Sequence, residues 1–322
     1  MRVRRIAVLT SGGDAPGMNA AVRAIIRAGL KNGFEMFVVY EGYKGLIEGR
    51  IEKVDRNFVS DIINRGGTIL KSARSRDFKT KEARLIAIDQ LKNFGIDTII
   101  AIGGDGTYMG AKELTELGIK CVCIPGTIDN DIASSEYTIG FDTALNTICD
   151  VVDKLRDTTA SHQRCTIIEV MGNTSGDLAL FSGIAEGVEM ILTPEHPFTE
   201  EEIINRIRLL GSGFKKHSLV IVSEKVFPNV ISFAEKLSKE TGIEARAEVL
   251  GRLQRGGSPS AFDRILATRL GVYAVDLLKD NIYNVVVGLK DNKLVYYTFE
   301  EAFSMPKKEY AQLYRLINIV NR

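Results

Sequence analysis

The sequence predicts an α/β protein of two domains, in which mainly parallel sheets are covered by helices on both faces. Short apolar runs alternate with amphipathic stretches along most of the chain, a pattern typical of βαβ units. Several of the 30 glycines cluster directly after the predicted strands, where phosphate-binding turns occur in such folds. The 322 residues are enough for two domains of ordinary size, each with its own core.

Each element is predicted from the spacing of its apolar residues. Short continuous runs indicate buried strands, and longer stretches with apolar residues three and four positions apart indicate helices. In chain order the elements are a strand at 6–10, a helix at 19–32, a strand at 37–40, a helix at 81–94, strands at 98–102, 120–124, 166–171, 219–223 and 284–289, and an amphipathic helix at 307–322. Ligands bind beyond the carboxyl ends of parallel strands, so the residues after each strand are the candidate functional residues.

Charge and composition exclude several classes of protein. Lys and Arg number 42 against 41 Asp and Glu, so no global basic field favours nucleic acid or an anionic membrane. The first apolar run is too short for a signal peptide, and no run reaches the ~18–20 residues that span a bilayer. The three histidines lack the spacing of a zinc site, and Cys121 and Cys123 are too close in sequence for an intrachain disulfide. We therefore expect buried free thiols in the reducing cytoplasm, at Cys121, Cys123, Cys149 and Cys165.

The first candidate segment, residues 10–19, follows the first strand and leads into a helix. Gly12 and Gly13 allow the backbone to approach a ligand closely, and the helix N-terminus favours an anion. A tight turn with a purely structural role has the same composition, so this segment alone does not establish a phosphate site.

The second candidate segment, residues 102–107, places a carboxylate among glycines at a strand end. Asp105 is suited to a hard cation such as Mg²⁺, and the amides of the surrounding glycines are suited to phosphate groups. A structural turn is the alternative interpretation.

The third candidate segment, residues 125–131, carries a hydroxyl, an amide and two carboxylates. Phosphoryl transfer to a hydroxyl needs a carboxylate that accepts the proton of that hydroxyl, and Asp129 and Asp131 are both candidates. A turn rich in Asn and Asp is again the structural alternative. An anionic substrate also needs guanidinium groups, which bind phosphate in bidentate fashion. Arginines near strand or helix ends are the candidates: Arg74, Arg164, Arg246, Arg252 and Arg255.

With these segments, the chain resembles the bacterial ATP-dependent 6-phosphofructokinases. Six motifs occur in the order and at the separations of that family: TSGGDAPGMNA, IGGDGT, PGTIDND, SHQR, EVMG and LQRGGSP. The resemblance extends from Arg4 to about Asp280 and becomes weaker over the last forty residues.

The resemblance implies a fold of two Rossmann-like three-layer domains with the active site in the cleft between them. Residues 1–140 with 257–304 would form the nucleotide-binding domain, and 141–256 with 305–322 the sugar-phosphate-binding domain. It also implies that Mg²⁺ and ATP serve to phosphorylate fructose 6-phosphate at the 1-hydroxyl, the committed step of glycolysis. The family is usually tetrameric, so a homotetramer is expected.

The resemblance assigns roles to matching residues. Asp105 would bind Mg²⁺, and Asp129 would be the catalytic base, assisted by Thr127 and Arg74. The residues matched to the ATP site are Gly13, Arg74, Ser75, Gly104, Asp105, Gly106 and Thr107. Those matched to the substrate site are Thr127, Asp129, Arg164, Met171, Gly172, Asn173, Glu224, Arg246, Arg252 and Arg255, of which Arg164 and Arg246 would reach in from a neighbouring subunit.

The resemblance also implies an effector site for ADP and phosphoenolpyruvate at a subunit interface. The matching residues are Arg23, Arg27, Arg56, Arg156, Gly187, Glu189, Lys215, Lys216 and His217. Taken alone, residues 215–217 would be interpreted as a solvated run of charges. Gly213 replaces a lysine of this site, which weakens the case for strong regulation. In the substrate site, Arg252 stands where many relatives carry His, and Asn173 replaces an Arg.

Three alternative functions remain to be weighed. Pyrophosphate-dependent relatives tend to carry Asp at the position of Gly106 and Lys at that of Gly126, so glycine at both favours ATP. NAD kinases and diacylglycerol kinases have a GGDGT-like turn but lack the PGTIDND and LQRGGSP segments. A catalytically inactive nucleotide sensor would have no need of Asp129.

Overall fold

A computed structural model describes residues 4–213 and 216–320 of the chain. The elements of its N-terminal half are β1 (Arg5–Thr10), α1 (Met18–Lys31), β2 (Glu35–Val39), α2 (Gly42–Ile47), β3 (Ile51–Val54), α3 (Lys81–Asn93), β4 (Thr98–Gly103), α4 (Asp105–Thr115), β5 (Lys120–Pro125) and α5 (Phe141–His162). Those of its C-terminal half are β6 (Cys165–Val170), α6 (Asp177–Glu186), β7 (Met190–Leu192), α7 (Glu200–Gly211), β8 (Ser218–Ser223), α8 (Val230–Thr241), β9 (Ala245–Val249), α9 (Ala261–Lys279), β10 (Val285–Lys290), β11 (Lys293–Thr298), α10 (Phe299–Ser304) and α11 (Ala311–Val320).

The contacts between these elements divide the chain into two compact units. The first contains the residues up to Ile128, Ile132–Thr143 and Arg255–Lys307. The second contains Asp129–Asp131, Ala144–Gln254 and the residues from Lys308 onward.

The first unit is built on a seven-stranded sheet in the order β11-β10-β5-β4-β1-β2-β3. Only the two edge pairs, β2 with β3 and β10 with β11, are antiparallel. The central strands are in register at their carboxyl ends, where Thr10 lies beside Ile102 and Ile102 beside Ile124. Every residue of β4 is buried, as expected for a strand covered on both faces.

The second unit contains a four-stranded sheet in the order β7-β8-β6-β9, in which all neighbours are parallel. Its core comprises the apolar residues of these strands together with those of α7 and α8, among them Ile207 and Phe233. The prediction of an α/β fold with mainly parallel sheets is therefore confirmed.

The chain between α10 and α11 differs from the sequence prediction. The helix expected to begin at 307 begins at Ala311, because residues 306–310 are not helical. Lys308 and Tyr310 are half-buried in this segment and Glu309 between them is exposed, which is the alternation of an extended chain.

The cysteines are free; Cys121, Cys123 and Cys165 are buried as expected, whereas Cys149 is only half-buried. Burial raises the pKa of Cys165 to about 11 and that of Cys149 to about 12, so both thiols stay protonated at neutral pH. Within the described residues, no helix is long and apolar enough to traverse a bilayer.

Candidate functional site

Three of the candidate segments follow the adjacent strands β5, β4 and β1 and are hydrogen-bonded to one another. The amide of Ser11 donates to the carbonyl of Ile102 at 3.0 Å. The amide of Gly126 donates to the carbonyl of Gly103, also at 3.0 Å. The hydroxyl of Thr107 donates to the carbonyl of Ser11 at 3.1 Å. The sheet thus brings together turns that lie far apart in the sequence.

Gly103 is the point where these turns come closest. A Cβ atom at this position would lie 2.3 Å from Thr107 Oγ1 and 2.5 Å from the carbonyl oxygen of Ser11. Only glycine fits such a close approach of backbone to backbone.

The turn after β4 presents a helix N-terminus and a carboxylate. Gly104 caps α4, whose first residue is Asp105, and the amides of Thr107 and Tyr108 both donate to the carbonyl of Gly104. Asp105 and Gly106 are exposed, whereas Thr107 is buried. Apart from its chain neighbours and the backbone of α4, no atom of the described residues lies within 4 Å of the position that a Cβ of Gly106 would occupy. Open space, a carboxylate and the positive end of a helix dipole together suit a phosphate group with its cation.

No cluster of three or more His, Cys, Asp or Glu residues that could hold a metal occurs in the part of the chain that the structure describes. This donor set fits Mg²⁺ nevertheless, because Mg²⁺ is usually bound through one or two carboxylates together with substrate phosphates and water. Asp105 is an exposed carboxylate at the N-terminus of α4 and meets this requirement.

The turn after β1 is held by two neighbouring segments. Ser72 donates its hydroxyl to the carbonyl of Gly12, so the segment that carries Arg74 lies beside this turn. Arg74 is exposed. The guanidinium of Arg255 lies against Gly13 and donates to the carbonyl of Asp14 at 3.2 Å. The structure therefore brings Arg255, matched to the substrate site, to a turn matched to the ATP site.

The start of the segment after β5 is hydrogen-bonded to Thr138 and Ile139 later in the same segment. Thr138 donates its hydroxyl to the carbonyl of Thr127 at 2.6 Å, and the amide of Ile139 donates to the carbonyl of Pro125 at 3.0 Å. The side chain of Thr127 is largely buried.

Asp129–Asp131 packs with the second unit. Asp129 is buried. Burial raises the pKa of Asp131, and the nearby Lys308 ammonium opposes this effect. Between them, Asn130 has a φ of 51° and donates its side-chain amide to Asp177 Oδ2 at 2.8 Å. The loop is therefore tied to the first residue of α6.

Residues matched to the sugar-phosphate site follow the carboxyl ends of β6 and β8 in the second unit. Met171, Gly172 and Asn173 follow β6, and Glu224 follows β8. The amide of Asn173 donates to Glu224 Oε1 at 2.7 Å. Lys225 donates its ammonium to Asn173 Oδ1 at 2.6 Å, so a positive charge lies beside this asparagine.

Gln254 joins the end of β6 to the turn that follows β9. Its Oε1 accepts a hydrogen bond from the amide of Met171 at 3.1 Å, and its Nε2 donates to the carbonyl of Gly251 at 3.0 Å. The side chain is fully buried, whereas Arg252 in the same turn is exposed. Sequence reasoning missed Gln254. Its only signal was a glutamine between Leu253 and Arg255 in a segment otherwise rich in glycine and arginine.

Arg164 and Arg246 lie at the opposite end of the strands of the same sheet, near the amino-terminal ends of β6 and β9. Arg164 directly precedes β6, and Arg246 is paired with Thr166 near the start of β6. Arg246 Nε donates to Glu244 Oε1 at 2.9 Å, and this contact lowers the pKa of Glu244. Met171 follows the other end of β6, roughly 20 Å away at about 3.3 Å per residue. One chain therefore does not bring these two arginines to Met171.

Asp263 was also missed by sequence reasoning. This buried carboxylate in the first turn of α9 accepts hydrogen bonds from the amides of Gly140 and Thr143, both at 2.8 Å, and from the Thr143 hydroxyl. Burial raises its pKa to about 6. The carboxylate holds the end of the segment that begins after β5, within the first unit.

The residues matched to the effector site are divided between the units. Arg23 and Arg27 on α1, and Arg56 after β3, belong to the first unit. Burial, followed by the charges of Arg27 and Arg56, lowers the pKa of Arg23. The Nε of Arg27 is buried without a hydrogen-bond partner. These observations indicate concentrated positive charge.

The other effector-site matches belong to the second unit. Arg156 donates to the carbonyl and carboxylate of Glu186, directly before Gly187 at the end of α6. Glu189 Oε2 accepts from the amide of Leu219 at 2.7 Å. The remaining described matches are Lys216, which is exposed, and His217, which is half-buried. Lys215 lies outside the described residues.

Comparisons with known proteins found relatives over nearly the whole chain. A family model described as phosphofructokinase matches residues 5–278. The ATP-dependent 6-phosphofructokinase of Bacillus pumilus is 52% identical over 314 residues, which is 98% of each chain. The solved phosphofructokinase of Saccharomyces cerevisiae matches with a TM-score of 0.88 and 33% identity, over 98% of this chain and 50% of the yeast chain.

A pyrophosphate-dependent phosphofructokinase from Marinobacter aquaeolei matches with a TM-score of 0.85 and 20% identity, over 96% of this chain and 86% of that chain. At this identity the match shows the fold alone. The fold is therefore shared by proteins named for different phosphoryl donors.

Proposed function

Because the chain belongs to the phosphofructokinase family, we propose that it phosphorylates fructose 6-phosphate at the 1-hydroxyl with ATP. The products are fructose 1,6-bisphosphate and ADP, and the reaction is the committed step of glycolysis. The observation that carries the proposal is the convergence of three turns after β1, β4 and β5, joined through Ser11, Gly103 and Gly126. The high identity to a protein named ATP-dependent 6-phosphofructokinase supports it.

The first unit would bind the nucleotide. The N-terminus of α4 and the amides of Gly104 and Gly106 would hold its phosphate groups, with Thr107, Gly13 and Ser75 completing the ATP site. Arg74 would meet the charge that develops on the transferred phosphoryl group. Asp105 would bind Mg²⁺, which neutralises charge on the nucleotide phosphates when bound.

Asp129 would orient the sugar 1-hydroxyl and accept its proton as the oxygen attacks the γ-phosphorus. The new bond joins this oxygen to phosphorus, and the bond between phosphorus and the β-phosphate oxygen breaks. Thr127, two residues earlier, would donate to the transferring group. Burial of Asp129 supports this role, because a carboxylate withdrawn from water interacts more strongly with the hydroxyl that donates to it.

The second unit would bind fructose 6-phosphate. Met171, Gly172, Asn173 and Glu224 would contact the sugar, since they share the carboxyl edge of the sheet. The arginines proposed to hold the 6-phosphate are Arg164, Arg246, Arg252 and Arg255. At Asn173, the adjacent ammonium of Lys225 supplies the positive charge that the asparagine itself lacks.

ATP is favoured over pyrophosphate by two glycines. The open space beside Gly106 leaves room for an additional phosphate group. An aspartate at this position would occupy the space, and its charge would repel the phosphate. At Gly126 a side chain would collide with the core, because its Cβ would lie 2.9 Å from Ile102 Cγ2 and 3.2 Å from Met18 Cε. A compensating lysine is therefore disfavoured at that position.

The active form is proposed to be an oligomer, as a homotetramer. Arg164 and Arg246 lie near the amino-terminal ends of the strands, and Met171 follows the carboxyl end of β6. The two arginines would therefore serve the site of a neighbouring subunit.

The cluster of Arg23, Arg27 and Arg56 supports a phosphate-bearing effector such as ADP or phosphoenolpyruvate. Free cysteines support a cytoplasmic location.

The test is release of ADP from ATP by the purified protein, with fructose 6-phosphate and Mg²⁺ present. The proposal predicts ADP formation that requires the sugar phosphate and stops when Mg²⁺ is removed by a chelator. Identical ADP release with and without fructose 6-phosphate would contradict it. Mass spectrometry of the sugar product identifies the bisphosphate directly.

A further inference from the structure

The segment that precedes α11 contacts the loop 129–131 through two side chains. Lys308 donates its ammonium to the carbonyl of Asn130 at 2.7 Å. Tyr310 donates its hydroxyl to Asp177 Oδ2 at 2.7 Å, and the same carboxylate oxygen accepts from the Asn130 amide. Because the segment is extended, Lys308 and Tyr310 face the same way. We call these two residues the C-terminal brace.

Asp177 is the centre of this arrangement. It is buried, and its other oxygen accepts a hydrogen bond from the hydroxyl of Ser175 at 2.9 Å. Three groups donate hydrogen bonds to this carboxylate: the Ser175 hydroxyl, the Asn130 side-chain amide and the Tyr310 hydroxyl. They offset the cost of burying a carboxylate away from water. Tyr310 is further fixed by an edge-on contact with the ring of Phe181, whose centroid lies 5.2 Å away.

Asn130 is where the brace meets the loop. Both its carbonyl and its side chain are engaged, and its backbone is left-handed with a φ of 51°. Its two neighbours in the chain are Asp129 and Asp131. Fixing one residue at both the main chain and the side chain fixes the direction of the carboxylates that flank it.

We propose that Lys308 and Tyr310 are positioning residues that set the orientation of Asp129 for phosphoryl transfer. The proposal rests on the proposed function, because it assumes that Asp129 accepts the proton. It assigns a role to two of the last forty residues, over which the family resemblance is weaker.

The expected fall in kcat follows from a displacement of Asp129 and not from the loss of a group that takes part in the reaction. A reacting group displaced by about 1 Å loses roughly 100-fold in rate, even when the change is remote from the reacting atoms. Each brace residue contributes one hydrogen bond, so we expect kcat to fall roughly 10- to 100-fold when either is lost. The KM for either substrate should remain within about twofold, since neither residue would touch a ligand.

The experiment compares Tyr310→Phe and Lys308→Met with matched controls. Tyr310→Phe keeps the ring against Phe181 and removes only the hydroxyl. Its control is Tyr314→Phe, which removes a hydroxyl bonded to Thr193 Oγ1 at 2.6 Å instead. The control for Lys308→Met is Lys307→Met, which removes an exposed ammonium from the preceding residue. Lys308→Arg retains a cationic donor and should recover most of the lost kcat.

A double-mutant cycle separates positioning from a general loss of stability. Asn130→Gly removes the side-chain amide while allowing the left-handed backbone to persist. If Tyr310 acts through Asp177 and Asn130, Tyr310→Phe should lower kcat much less in the Asn130→Gly protein than in the wild type. Equal effects in both proteins would contradict the proposal.

Hydrogen exchange of peptides covering residues 126–139 gives a readout that does not depend on activity. The brace predicts faster exchange there in Tyr310→Phe and Lys308→Met than in the controls. Unchanged exchange together with wild-type kcat would overturn the proposal. A wild-type protein without phosphofructokinase activity would instead overturn the proposed function, and exchange would still decide whether the brace exists.

Discussion

Replacing Gln254 with leucine removes two hydrogen bonds from a fully buried side chain at little change in size. The amide of Met171 and the carbonyl of Gly251 would both lose their partner. A buried polar group left unpaired costs about 1–3 kcal/mol, and some relaxation around the leucine is expected. The free energy of unfolding should therefore fall by about 2–4 kcal/mol, which guanidinium chloride denaturation measures.

The same substitution should weaken the binding of fructose 6-phosphate. Met171 and Arg252 flank the two hydrogen bonds, so their loss should raise the KM for the sugar phosphate about 10-fold, with a smaller change in kcat. The control is Gln312→Leu at an exposed position of α11. An unfolding curve and a KM like those of the wild type would refute the role of Gln254. Lower stability with unchanged KM would limit its role to folding.

Three other substitutions test separate parts of the site. Asp129→Ser should lower kcat by about 10²- to 10⁴-fold with little change in KM, and near-normal turnover would show that another group accepts the proton. Arg246→Ala should raise the KM for fructose 6-phosphate at nearly constant kcat, whereas an unchanged KM would exclude a contact with this substrate. Burial raises the pKa of Asp263 from 3.8 to about 6, so the native state retains a proton that the unfolded chain has released. The resulting stabilisation, about 3 kcal/mol, is complete below pH 3.8 and is lost as the pH rises through 6. In Asp263→Asn this part of the pH dependence should disappear from unfolding curves between about pH 4 and pH 7, and an unaltered dependence would contradict the argument.

The sequence was sufficient to predict the fold class and the three turns because both depend on local patterns, whereas the strands β3, β7, β9 and β11 were not predicted. Apolar runs and the glycines after them specify β1, β4 and β5, and the rule that ligands bind at the carboxyl ends of parallel strands directs attention to Asp105 and Asp129. Adjacency of these strands in the sheet then brings the turns together, as the contacts of Gly103 show.

Residues whose role depends on remote partners could not be predicted. The role of Gln254 depends on its hydrogen bond with the Met171 amide, and that of Asp177 on its hydrogen bonds with Asn130 and Tyr310. These partners are separated by many residues and share no spacing rule, so a single sequence gives them no signal. The late start of α11 has the same origin, because Tyr310 is engaged by Asp177 rather than by a helix.

The most direct test of the proposed reaction is phosphorylation of fructose 6-phosphate by the purified protein with Mg²⁺, comparing ATP with pyrophosphate at equal concentration. Fructose 1,6-bisphosphate should form with ATP, and essentially none should form with pyrophosphate. Product formed with pyrophosphate alone would contradict the interpretation of Gly106 and Gly126, and absence of product with both donors would contradict the proposed activity itself.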